Sequence, residues 1–97
     1  MLKAQYTPRF EKDIRKIIRK KKLDISELSD LINLILKDTK DSREELVRRH
    51  RKHALKGKYK HLFECHVANV GDWLLLWKEE NGFAIFLRTG THDELFK

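Results

Sequence analysis

Cysteine, proline and methionine each occur once in this 97-residue chain, and glycine four times. The lone thiol, Cys65, has no partner for an internal disulfide, which excludes the stapled secreted folds common at this size and fits a reducing cytoplasm. No apolar run approaches membrane-spanning length, and residues 1 to 20 lack the apolar centre of a signal peptide, so no membrane association is expected. With so little glycine and proline, no linker, repeat or low-complexity segment interrupts the chain. A zinc site from His61, Cys65 and His66 is not expected either, because residues 65 and 66 of one strand point to opposite faces. The length suffices for a single domain, residues 1 to 97, with a modest core.

Charge is what the chain has in quantity: 22 Lys and Arg against 15 Asp and Glu, a net of +7. Residues 1 to 60 hold 19 of the cations and 9 of the anions, whereas residues 61 to 97 hold 3 and 6. The basic part is the footprint expected of a protein that meets a polyanion, of which nucleic acid is the commonest. Lysine-rich helix exteriors also serve solubility alone.

In chain order, Leu2 to Tyr6 reads as a short strand, and Thr7-Pro8 as an N-cap followed by proline at the first helical position. Phe10, Ile14, Ile17 and Ile18 then form an amphipathic stripe opposite Lys12, Arg15, Lys16, Arg19, Lys20 and Lys22, predicting a helix that ends near Lys22. Asp24 with Glu27 opens a second helix whose stripe is Leu28, Leu31, Ile32, Ile35 and Leu36. The short connection makes the pair an antiparallel hairpin. Asp38 to Ser42 is turn-like, and Arg43 to Lys60 is a basic stretch, irregular or weakly helical, with Leu46 and Val47 as its anchors.

Strand patterning follows. Tyr59 to Val67 alternates, with Phe63, Cys65 and Val67 on one face and Glu64 and His66 on the other. Trp73 to Glu79 is an apolar run, and Asn81-Gly82 is a hairpin turn leading into Phe83 to Thr89. The turn sets a register of Glu80 to Phe83, Trp77 to Phe86 and Leu75 to Arg88. Leu74, Leu76, Ile85 and Leu87 are then expected to bury against the helices. Trp73, Leu75, Trp77, Phe86 and Arg88 take the other face, shared with His66. The expected fold is α+β: a small, mostly antiparallel twisted sheet of about four strands with an N-terminal two-helix hairpin on one face.

The last residues gather three chemical tools. Arg88 ends the strand with a permanent cation suited to phosphate oxygens, and Gly90 permits a turn. Thr91 and Glu94 form a capping box around His92, and Phe96 follows as a stacking plate. An imidazole beside a guanidinium is what phosphodiester chemistry needs, one group to move a proton and one to hold developing charge. A surface turn with an incidental histidine and phenylalanine is the plainer alternative.

The segments His53-Ala54-Leu55-Lys56-Gly57, Glu64-Cys65-His66-Val67, Asp72-Trp73-Leu74-Leu75-Leu76-Trp77-Lys78 and Arg88-Thr89-Gly90-Thr91-His92-Asp93-Glu94-Leu95-Phe96 together resemble the RelE/ParE superfamily, and within it the YafQ-type toxins. The resemblance covers essentially the whole chain. It implies the RelE-like, microbial-RNase-like version of this fold and a ribosome-dependent mRNA endonuclease acting at the A site. It also implies no metal or other cofactor, inhibition by a cognate antitoxin, and operator DNA reached only through that antitoxin. The family's basic-loop histidine falls on His53, its strand histidine on His66, its aspartate on Asp72, its phosphate-binding arginine on Arg88, its proton-donating histidine on His92 and its terminal aromatic on Phe96. The stretch Ala68 to Gly71 is longer than the family pattern, and Trp77 stands where a tyrosine is common.

On that resemblance His66 or His53 is the general base and Asp72 orients or assists. Arg88 stabilises the phosphorane and His92 protonates the 5′-oxygen. Lys56, Trp73 and Phe96 are candidates for substrate binding, the two aromatics by stacking on a base. Of its two roles Trp73 reads more as core or support than as a stacking plate, and His50 and His61 read as solvated. Two other functions remain: a ParE-like toxin that binds a protein target such as gyrase, and a nonenzymatic nucleic-acid-binding module.

Overall fold

The computed structural model describes residues 1–21, 23–68 and 72–96. Lys22, the expected end of the first helix, and residues 69–71, which fall in the stretch Ala68 to Gly71 that exceeds the family pattern, lie outside the described residues. Among the described residues five strands form one sheet in the order β1-β5-β4-β3-β2: β1 (Lys3–Tyr6), β2 (His53–Ala54), β3 (Phe63–His66), β4 (Leu74–Glu80) and β5 (Phe83–Gly90). Only the β1–β5 pair is parallel. β1 is among the four expected strands; the two-residue β2, inside the stretch read as irregular or weakly helical, is the fifth.

Helices α1 (Pro8–Lys16), α2 (Ile25–Lys37) and α3 (Lys40–His50) supply the apolar cover of one sheet face. The Thr7 hydroxyl accepts from the Phe10 N–H at 3.0 Å, and Asp24 accepts from Ser26 at 3.0 Å, so both expected caps form. After Lys16 the helix loosens into a π-helical turn, Ile17–Lys21. The wider turn rotates the stripe, burying Ile17 and leaving Ile18 60% exposed.

The basic stretch is more ordered than its sequence implies. A capping box of Thr39 and Ser42, with reciprocal bonds of 3.0 and 2.8 Å, starts α3 inside the expected turn. Leu46 alone anchors it to the core, and Val47 is 59% exposed. Arg51, in a left-handed conformation, ends the helix.

The Asn-Gly turn forms with positive φ at both residues, 53° and 81°, as a two-residue hairpin requires. Glu80 faces Phe83 and Trp77 faces Phe86, as expected, but Leu76 faces Arg88 and Leu75 faces Thr89. A bulge leaves Leu87 as the extra residue, and the expected Leu75–Arg88 pairing does not occur. The face assignment is also reversed. Leu75, Trp77 and Phe86 bury against the helices with Cys65 and Val67, while Leu74 and Leu76 face away and pack under Leu95 of α4 (His92–Phe96). Both faces of this hairpin are apolar, and the bulkier set fills the wider space beneath three helices. The bulge is what keeps Arg88 out of that core.

The two candidate anchors of α3 differ measurably. Leu46→Ala is expected to lower unfolding stability in urea by about 2–5 kcal/mol, and Val47→Ala by less than about 0.5 kcal/mol.

Candidate active site

Strand register builds the site in two transverse rows on the face opposite the three helices. His53, Glu64, Leu76 and Arg88 stand side by side across β2, β3, β4 and β5, and His66, Leu74 and Gly90 form the next row. Directly paired residues share a face, so the sheet itself collects the imidazoles and the guanidinium. With strands about 4.8 Å apart, the first row spans about 14 Å.

Beyond Gly90 the chain turns into α4. The Thr91 hydroxyl accepts from the Glu94 N–H at 3.1 Å, and Glu94 accepts from the Thr91 N–H at 2.9 Å, closing the expected capping box. A Cβ at Gly90 would stand 2.9 Å from the Glu94 carboxylate and would push aside the side chain that caps Thr91. Glu94 also accepts from Lys16 Nζ at 2.6 Å, tying α4 to α1.

Asp72 fixes His92 twice. One carboxylate oxygen accepts from the His92 backbone N–H at 3.0 Å and lies 2.5 Å from Nδ1, which therefore carries a proton and leaves Nε2 as the working nitrogen. These bonds, the backbone N–H first, hold the Asp72 carboxyl below the usual carboxylate range. The His92 ring centre is 6.3 Å from that of His66 and 6.2 Å from that of Phe96. Phe96 rests edge-on against Tyr59 at 5.2 Å. Burial of the ring, followed by the Arg51 charge, lowers the pKa of His66 from the ordinary 6.5.

His53 stands differently. Its Nδ1 is 2.9 Å from the Arg51 carbonyl and its Nε2 is 3.4 Å from the Glu64 carboxylate. Both ring nitrogens therefore face acceptors. Lys56 is exposed at the start of the 3₁₀ turn Gly57–Tyr59.

Trp73 takes the core role of the two expected for it. It is 3% exposed, its indole N–H donating to Thr89 at 2.9 Å, and the Thr89 hydroxyl donates in turn to the Leu74 carbonyl at 2.8 Å. A side chain so enclosed supports the sheet and has no face to offer a base. His50, expected to be solvated, donates from Nδ1 to the His66 carbonyl at 3.0 Å and pins β3 to the end of α3.

Two carboxylates received no role from the sequence, although Glu64 was placed on the face of His66. Glu64, 4% exposed, faces His53; a lone acid amid the apolar residues of a strand was its signal. Asp13, 8% exposed, accepts from Arg88 Nε at 2.8 Å, from Arg88 Nη2 at 3.3 Å and from the Thr89 N–H at 3.1 Å. It lies three residues after Phe10 and four before Ile17, on the apolar stripe of a basic helix. Among the described residues no group of three or more His, Cys, Asp or Glu side chains is placed to hold a metal ion.

Residues 2–97 match the family model described as the bacterial toxin of the type II toxin-antitoxin system, YafQ. The mRNA interferase toxin YafQ of Escherichia coli strain K12 is 32% identical over 92 residues, covering 95% of this chain and 92% of the relative. A copper-bound mutant toxin from Helicobacter pylori has a TM-score of 0.84 at 35% identity, covering 99% of this chain and 100% of that one. The E. coli DinJ-YafQ toxin–antitoxin complex contains a chain with a TM-score of 0.79 at 28% identity, with both chains fully covered.

Burial makes Trp73 a test of structure against substrate contact. Trp73→Phe is expected to lower unfolding stability by about 1–3 kcal/mol, from the loss of the indole partner of Thr89, and to leave RNA affinity unchanged in a filter-binding titration.

Proposed function

The chain belongs to the YafQ family of bacterial type II toxins and is an mRNA interferase, an endoribonuclease; on that premise we propose that it cuts mRNA on the ribosome with its own imidazoles and guanidinium. The observation that carries this reading is the pair of histidines 6.3 Å apart, one held by Asp72 and the other with its pKa lowered by burial. A module that merely binds nucleic acid, or a toxin that binds a protein target such as gyrase, has no use for such a pair.

RNA carries its nucleophile in the 2′-hydroxyl. His66, neutral at pH 7, takes the 2′-OH proton as the oxygen attacks the adjacent phosphorus. His53 is the weaker choice of base because both its nitrogens face acceptors. Arg88 receives the negative charge that accumulates on the phosphorane oxygens. His92, with Nδ1–H directed to Asp72, delivers a proton from Nε2 to the 5′-oxygen as the P–O5′ bond breaks. The products are a 2′,3′-cyclic phosphate and a 5′-hydroxyl, and the two histidines have exchanged protonation states. Phe96, propped by Tyr59, offers its ring to an unstacked base, and Lys56 offers charge to a phosphate.

The basic N-terminal part and the family resemblance support action on the ribosome-bound message, at the A site, without a metal cofactor. They also support neutralisation by a cognate antitoxin, by analogy with the E. coli DinJ-YafQ toxin–antitoxin complex; charge complementarity calls for acidic, amphipathic antitoxin segments over the basic face. Operator DNA is then reached through the antitoxin. The translating ribosome places the site of action in the cytoplasm.

Primer extension on an mRNA translated in a reconstituted system tests this reading. Wild-type protein is expected to give discrete stops, and His92→Ala to lose about 10²- to 10⁴-fold in cleavage while remaining folded. Equal stops from both proteins would remove His92 from the chemistry, and no stops from either would favour a protein-binding toxin.

The pH profile gives a second check. Burial disfavours the imidazolium of His66, so the ring is neutral through pH 7 and gains a proton only on the acid side of the ordinary imidazole range. Activity, and the stability linked to the neutral ring, are retained at neutrality and lost as pH falls through that lowered value. The acid limb of kcat/KM is expected to fall below pH 6.5 and to vanish in His66→Gln. A midpoint at or above 6.5 would rule out His66 as the base.

A further inference from the structure

Asp13 is a charged group in an apolar setting. It occupies the inner side of α1 between Phe10 and Ile17, both buried, and is itself 8% exposed. A buried carboxylate is costly unless its oxygens are fully used, and these are: one oxygen accepts from Arg88 Nε and the Thr89 N–H, the other from Arg88 Nη2. The Thr89 N–H is available because β1 pairs β5 only as far as Phe86. Asp13 thus replaces the missing neighbouring strand at the edge where Arg88 emerges.

A side-on grip leaves a defined remainder. With Nε–H and one Nη2–H directed to Asp13, the Nη1 hydrogens and the second Nη2–H form an outer fork turned away from the carboxylate. A fork of that kind matches two oxygens of one phosphate. The bulge at Leu87 sends Arg88 to the site face, and Asp13 sets which edge of its plane is offered there.

We propose, on the nuclease reading of the same site, that Asp13 is a positioning residue: it orients the Arg88 guanidinium so that its outer fork meets the phosphorane oxygens. It touches no reacting atom and acts only through Arg88.

The test is a double-mutant cycle in the translated-mRNA cleavage assay, accompanied by ¹⁵N NMR of the free protein. Asp13→Asn keeps one oxygen for the Thr89 N–H but loses the two-oxygen grip. It is expected to lower kcat about 10²-fold with KM nearly unchanged. In an Arg88→Lys background the same substitution should change kcat less than about twofold, because the group it orients is gone. The Arg88 Nε–H signal, slow to exchange in wild type, should move to the position and exchange rate of an exposed arginine in Asp13→Asn.

Unchanged kcat, an equal loss in both backgrounds, or a loss that follows the unfolded fraction while the Arg88 signal stays in place would each overturn the proposal. If Asp13→Asn does not fold, Asp13→Glu keeps the charge and displaces the grip. About a tenfold fall in its kcat is expected, and wild-type kcat would overturn the proposal. If wild type cuts no translated mRNA, the nuclease reading fails by itself. The Nε–H signal then decides whether Asp13 orders Arg88.

Discussion

The pairing of β4 with β5 governs what this protein presents to its substrate. Trp77 against Phe86, both fully buried, locks the hairpin to the helices, and one residue later the ladder slips by the bulge at Leu87. Without that slip Arg88 would continue the buried face of Phe86, and an unpaired guanidinium would stand in the apolar layer. With it, Arg88 joins Glu64 and His53 in one row and meets Asp13 at the open edge. A local irregularity of backbone pairing thus separates a core from a site within a single strand.

The site leans on elements far away in sequence. Asp13 and Lys16, one helical turn apart on α1, hold Arg88 and Glu94 respectively, so the first helix steadies both the guanidinium and the short helix that carries His92. His50 at the end of α3 holds the carbonyl of His66, and Asp72 holds His92. Each catalytic candidate on the C-terminal strands is positioned by a side chain from another segment. This is the arrangement that electrostatic catalysis requires, with charges fixed before the substrate arrives.

Much of this was legible in the chain. Thr7-Pro8, Asn81-Gly82 and the Thr91/Glu94 box announced their caps and turn, and apolar periodicity located α2 and the strands. Three features were not legible, for physical reasons. The π-helical turn after Lys16 breaks the 3.6-residue period and so exposes Ile18. Leu74, Leu76, Trp73 and Trp77 make both hairpin faces apolar, so alternation alone does not say which face the helices cover. A bulge has no signature in hydrophobic pattern, since it changes pairing and not composition. Strand and turn patterning marked His66, Arg88 and His92, and the family resemblance added His53, Asp72 and the roles, but Asp13, which holds Arg88, and Glu64, which faces His53, show only as acids out of place in apolar segments.

In the proposed mechanism the RNA supplies its own nucleophile, and His66, Arg88 and His92 serve one phosphodiester from one face of the sheet. The most direct test is a message carrying a single 2′-deoxynucleotide immediately 5′ of the scissile phosphate, read by primer extension in the translating system. The account predicts that the all-ribose message is cut to leave a 5′-hydroxyl and the deoxy-substituted message stays intact at that position. Cleavage of the deoxy-substituted message, or a 5′-phosphate on the product, would mean that water is the nucleophile and would contradict it.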